Sequence, residues 1–187
     1  MQTEALDGNA HALRAELSAS EELCLDTARQ EPVTVETVSC GSWIEAVKIG
    51  GTTQPILKNA GDDTRIDWGY FYLPGINGEV SLGSDNDIKA SFFADGTLPA
   101  SKHEIVSRKP STAPTLAYVH DFGTVEQAAS YTMVGYDEIE DIEYFYNRYK
   151  GYWAHNGNVS IFDQFEKQNN SYGSIMERCR AWDKQIY

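Results

Sequence analysis

Cysteine is scarce in this chain of 187 residues: Cys24, Cys40 and Cys179 are all it has. Their spacing fits neither a disulfide framework nor a metal-ligand pattern, so the fold must hold without cross-links or structural zinc. Each cysteine is expected first as a small buried hydrophobe, although Cys24 and Cys40 could also face each other on neighbouring strands. Cations are few as well. Fifteen Lys and Arg against 28 Asp and Glu leave a formal net charge of −13. A surface that acidic repels nucleic-acid phosphates and anionic lipid, which argues against both as partners. No run approaches the ~20 apolar residues that span a bilayer. Residues 1–12 carry no apolar core region of the kind a signal peptide needs.

What is present is enough to fold. Hydrophobic residues make up 41% of the chain, so a real core can form and bulk disorder is excluded. Aromatics reach 12%, with eleven Tyr and four Trp, which favours strands and ligand-facing surfaces over a plain helical bundle.

Period-two alternation dominates the first two thirds of the chain. After a frayed start over residues 1–12, Leu13, Ala15 and Leu17 alternate with Arg14 and Glu16. Val33, Val35 and Thr37 repeat the pattern behind Pro32, and Trp43 to Ile49 reads as a further strand ended by Gly50-Gly51. Arg65 to Leu73 gives the strongest strand signal: Ile66, Trp68, Tyr70 and Tyr72 line one face, Arg65, Asp67, Gly69, Phe71 and Leu73 the other. Pro74-Gly75 and Asn77-Gly78 then mark a turn, as does Asp95-Gly96. A surface loop over 99–114 with a short strand at Ile105-Val106, a strand over Thr115 to Phe122 and a last strand at Tyr131 to Val134 complete the β region.

The period changes after Gly135. Ile139, Ile142, Phe145, Tyr146 and Tyr149 recur at three- and four-residue steps, which predicts an amphipathic helix capped by Asp137. A second helix is expected from near Asn158 to the end, with Ile175, Met176, Cys179, Trp182 and Ile186 on its stripe. The fold class is therefore mainly β: an antiparallel β-sandwich over 13–135, followed over 136–187 by two C-terminal helices that open an incomplete helical domain.

Three runs carry a family resemblance. Gly61-Asp62-Asp63-Thr64-Arg65-Ile66-Asp67-Trp68-Gly69-Tyr70 resembles a signature in the N-terminal domain of the glutaminase A family. Tyr136-Asp137-Glu138-Ile139, continuing to Ile142-Glu143-Tyr144-Phe145, resembles the entry to that family's helical domain. Glu177-Arg178-Cys179-Arg180-Ala181-Trp182-Asp183 resembles a later segment of it, with Trp182 where a Phe is expected. The resemblance spans most of residues 33–187. It implies a secreted or cell-envelope protein without a cofactor, in which a β-sandwich precedes an α/α toroid of six hairpins. The implied activity is hydrolysis of L-glutamine to L-glutamate and ammonia. This chain would be the β domain plus the first toroid helices. It would be inactive alone, take its small-molecule substrate only in the intact parent, and contact the missing helices within one molecule. No catalytic residue carries over.

Read for chemistry, the residues offer few sites. Arg65 and Asp67 share one strand face and can pair, a structural role first and a substrate-binding role second, with Trp68 beside them. Asp62 and Asp63 are oxygen donors for Ca²⁺ without a recognised loop spacing. Asp85, Asn86 and Asp87 read as turn residues. Asp137 and Glu138 sit at the handover between β and helical regions, where a carboxylate could serve as acid or base, although an Asp there is first a cap. Cys179 lies on an apolar stripe and His120 on an aromatic strand face, so both read as core, and no nucleophile–base pair is visible. Two other functions fit the pattern. One is a non-catalytic sandwich that binds a glycan or a partner through Trp43, Trp68, Tyr70, Tyr72 or Trp153. The other, on fold analogy, is part of a glycoside-processing enzyme.

Overall fold

The computed structural model describes residues 1–23, 32–40, 44–58, 68–102, 105–106, 113–154 and 159–186. Among these residues twelve strands and two α-helices follow in order: β1 (Gln2–Glu4), β2 (His11–Ser20), β3 (Val33–Cys40), β4 (Ile44–Gly51), β5 (Tyr70–Pro74), β6 (Glu79–Ser84), α1 (Asp85–Asp95), β7 (Ile105–Val106), β8 (Pro114–Val125), β9 (Gln127–Ala129), β10 (Gly135–Asp137), β11 (Ile142–Tyr144), β12 (Asn147–Tyr149) and α2 (Ile161–Ile186). All described strand pairs are antiparallel.

Two sheets form a sandwich. One has five strands in the order β10-β5-β4-β3-β7, the other three in the order β2-β8-β6. Alternation decides what lies between them. Val33, Val35, Val47, Ile49, Phe71 and Leu73 enter the core from the first sheet, and Ala19, Leu82, Leu116 and Tyr118 from the second. Tyr118 is fully buried, and its hydroxyl donates to the carbonyl of Ile76 at 2.8 Å. The Asn77-Gly78 turn is where the sequence puts it, with Asn77 at φ 60°.

The opposite face of the five-stranded sheet carries a second apolar cluster. Tyr70 and Tyr72, the alternate residues of β5, pack there with Val38, Met133, Trp153, Phe162, Ile161 and Phe165. Thus α2 covers the outside of the sandwich with its first turns. Gly135 admits this contact: a Cβ there would come within 2.6 Å of the Phe165 ring.

Several expectations need correction. Residues 1–12 are not frayed: β1 pairs with β9, and His11 and Ala12 already belong to β2. Tyr131 to Val134 is not a strand, and the sheet edge is β10 instead. Asp85 to Asp87 open a helix rather than a turn. The Ser84 hydroxyl caps it by accepting from the Asp87 N–H at 3.1 Å, and Gly96 ends it at φ 75°. Of this helix only Ile88 is buried, so it shows almost no apolar stripe in sequence.

The largest correction concerns 137–149. No helix forms there; after β10, strands β11 and β12 make a hairpin in register Ile142↔Tyr149, Glu143↔Arg148 and Tyr144↔Asn147. β-branched and aromatic residues suit a strand as well as a stripe, and Glu143 and Arg148 pair across it at 3.1 Å. The Asp137 carboxylate accepts from the Ile139 N–H at 2.9 Å, so it closes a short turn and caps no helix. Among the described residues one α-helix, α2, is C-terminal. No described helix is long and apolar enough to cross a membrane.

Candidate functional site

The C-terminal helix starts from a reciprocal cap. The Asp163 N–H donates to the Ser160 hydroxyl at 3.1 Å, and the Ser160 N–H donates to the Asp163 carboxylate at 2.7 Å. Ile161 and Phe165 then bury against Tyr72. Further along, the Tyr131 ring stacks on Tyr172 with centroids 3.5 Å apart, and its hydroxyl donates to the Asn169 side chain at 2.9 Å. Beyond Tyr172 the apolar stripe continues through Ile175, Met176, Cys179, Trp182 and Ile186, but its cover does not. Ile175 and Met176 are half-buried, and Trp182 and Ile186 are 66% and 68% exposed.

Beside the buried first turns lies an open groove of about 480 Å³, walled by Met133, Val134, Trp153, Ile161, Phe165 and Gln168 among others. Its helical wall is the same face that continues as the exposed stripe, because 161, 165, 168, 172, 175 and 179 recur at three and four residues.

A second exposed surface is the hairpin. Every residue from Ile142 to Lys150 is exposed, with Phe145 at 75% and Tyr146 at 95%. These two residues form a two-residue turn with φ 48° and 64°, a conformation normally left to Asn and Gly. Tyr144 packs edge-on against Phe145 at 4.5 Å.

The stem of this hairpin carries the carboxylates. Glu138 has the carboxyls of Asp141 and Asp137 as its acidic neighbours. Burial first, then Asp141 and the charge of Asp137, push the Glu138 carboxyl up to about 7. The Asp141 N–H donates to the Tyr149 carbonyl at 2.8 Å, closing the hairpin base. Asp141 Oδ2 sits against Gly151, where a Cβ would fall within 2.5 Å of it and 3.0 Å of Trp153 Nε1. The carboxyl pair is thus next to Trp153, a wall of the groove.

The candidates from sequence divide accordingly. Asp137 and Glu138 are brought together, with Asp141 as a partner that sequence reasoning missed. The Glu138–Asp141 spacing of three residues reads as one helix face, which hid the turn. Trp68 is 7% exposed and donates its indole N–H to the Glu140 carbonyl at 3.1 Å, so it braces the hairpin stem and offers no open platform for a ligand. Tyr70 and Tyr72 lie under α2, and Trp153 is half-buried. Asp62, Asp63, Arg65 and Asp67 lie outside the described residues, as do Trp43 and Cys24. Cys179 is exposed, not core. His120 is half-buried and its Nδ1 meets the Asn77 carbonyl. Among the described residues no group of three or more His, Cys, Asp or Glu is placed to hold a metal ion.

The family model that matches this chain is described as a domain of unknown function, DUF5127, and it spans residues 1–187. That finding overturns the resemblance to the glutaminase A family, since no model of that family matches. No curated protein matches the chain.

Proposed function

Because this chain belongs to the DUF5127 family along its whole length, a premise that specifies no activity, we propose from its geometry that it is a non-catalytic β-sandwich module that docks a helical partner. The supporting observation is the second half of α2, an apolar stripe that leaves the sheet after Tyr172 and ends in exposed Trp182 and Ile186. A 26-residue helix with half its stripe in water is short of neighbours, and another helix is what such a stripe fits. The stripe runs continuously from the groove, so a partner helix laid along it would reach the pocket beside Trp153. Local charge supports the same occupant. From Glu177 to Ile186 three cations (Arg178, Arg180, Lys184) outnumber two carboxylates (Glu177, Asp183), although the chain as a whole is at −13. This end of the molecule suits an acidic helical surface.

The test is a double variant, Trp182→Asp with Ile186→Asp, purified from the natural host beside the wild type. The wild type is expected to co-elute with its helical partner on size exclusion, and the variant to elute alone with an unchanged circular dichroism spectrum. Co-elution of the variant would contradict the reading.

A second reading, amide hydrolysis by a protein that includes this chain, is favoured by one observation. Glu138, with acidic neighbours beside it, is raised to about 7 by burial first and stands near a groove, and a carboxyl raised toward neutrality can serve as a general acid or base. Turnover of a small carboxamide such as L-glutamine, abolished by Glu138→Gln, is its test. Glycoside chemistry rests on fold analogy alone. Sugar stacking loses Trp68 to burial.

A further inference from the structure

We propose that the outer edge of β2 joins a second copy of this chain, strand to antiparallel strand about a two-fold axis at Ala15. Among the described residues β2 ends the order β2-β8-β6, and β8 is its one hydrogen-bonded neighbour, paired over all ten residues. The opposite end of that sheet is covered. There the Lys102 N–H donates to the Leu82 carbonyl at 3.1 Å, and the Leu82 N–H to the Ser101 hydroxyl at 3.3 Å. β2 stands open instead: His11, Ala12, Arg14, Leu17 and Ser18 are exposed, whereas residues 114–119 of β8 are all buried. A long open edge presents a row of backbone donors and acceptors, which natural proteins block or pair.

The edge is self-complementary about Ala15. In an antiparallel pair centred there, Leu13 meets Leu17 of the second copy and Arg14 meets Glu16 of the second copy, each contact made twice by symmetry. Leu13, Ala15 and Leu17 share the face of the core residue Ala19, so the pairing continues the core across the edge. On the other face the charges match. Arg14 donates from Nε to Asp121 at 2.8 Å and from Nη1 to the Asp95 carbonyl at 2.6 Å, which leaves Nη2 for a further acceptor. Glu16 lacks a cation among the described residues, and its Oε1 is shielded from solvent with no hydrogen-bond partner. Moving the centre by one residue either way sets Arg14 against Arg14 or Glu16 against Glu16, and like charges directly opposite repel. One register is therefore selected, and an occupant that mirrors this edge is another copy of it. The product is a continuous sheet in the order β6-β8-β2-β2-β8-β6. The α2 stripe belongs to the other sheet, so this interface is independent of the docking reading.

Sedimentation equilibrium of the full chain from about 5 to 500 μM is the experiment. The apparent mass is expected to rise toward twice that of one chain. The dissociation constant should increase by at least about threefold when salt goes from about 0.05 to 0.5 M. Glu16→Arg and Arg14→Glu should each stay monomeric, because each sets like charges opposite one another. An equimolar mixture of the two should recover the dimer, since opposite charges then face across the edge. Leu17→Lys should also stay monomeric; Leu17 is 40% exposed, so this variant keeps the fold and stands in if Arg14→Glu does not fold. Trp182→Asp with Ile186→Asp should dimerise like the wild type, which separates this interface from the α2 stripe. A wild type that is monomeric throughout, a dimer unchanged by Glu16→Arg, a dimer lost in the α2 variant, or another protein's strand captured at β2 in place of a second copy would overturn the proposal.

Discussion

Trp68 and Glu140 are joined across 72 residues by a single bond, the indole N–H donating to a backbone carbonyl at 3.1 Å. That bond ties the residues just before β5 to the stem of the hairpin. The ring is almost wholly buried and the bond itself part-buried. Trp68→Phe keeps most of the apolar contact and leaves the carbonyl unpaired, at a cost of about 1–3 kcal/mol. A lower urea midpoint with an unchanged slope is the expected result. A midpoint equal to wild type would remove the brace.

The two ends of α2 should respond oppositely to the same kind of truncation. Phe165 is 4% exposed in the second apolar cluster, and Phe165→Ala should destabilise the chain by about 3–5 kcal/mol. Trp182 is 66% exposed, and Trp182→Ala should stay within about 0.5 kcal/mol in the isolated chain. Denaturation of both variants, side by side, checks the contrast.

The hairpin tip stores strain. Phe145 and Tyr146 adopt positive φ, which costs of order 1–3 kcal/mol each for residues of this kind. Replacing them with Asn and Gly should raise hairpin amide protection without changing the sandwich.

Stability should depend on pH through Glu138. Its carboxyl is raised from 4.5 to about 7 in the folded chain, so the folded state binds its proton more tightly than the unfolded state. The contribution is fully present below about pH 4.5 and is lost as pH rises through about 7. Unfolding titrations in that window should show a falling limb that Glu138→Gln flattens. Tyr72 acts in the same direction at higher pH: burial raises its hydroxyl, so stability falls once pH passes the ordinary tyrosine value of about 10, and Tyr72→Phe should delay that fall.

The sandwich was legible because its strands bury one face each. Phe71 and Leu73 against Tyr70 and Tyr72 is the alternation that sequence reasoning uses, and both faces are apolar because each meets a different layer. The hairpin was not legible. Ile142 and Tyr149 are cross-strand neighbours seven residues apart, a separation that also equals two helical turns. Both residues face solvent, so burial gave no signal to separate the periods. Helix α1 was missed for the complementary reason, having one buried residue and no stripe. At the candidate site, Asp137 and Glu138 were visible as carboxylates at a junction, whereas the role of Asp141 depends on a turn at Ile139 that no local pattern announces.

Amide hydrogen exchange along α2, compared between the isolated chain and its native assembly, addresses the docking proposal most directly. If a helical partner covers the stripe, residues 173–186 should exchange rapidly in isolation and become protected by at least about tenfold in the assembly, while residues 161–168 stay protected in both. Equal, rapid exchange over 173–186 in both samples would contradict it.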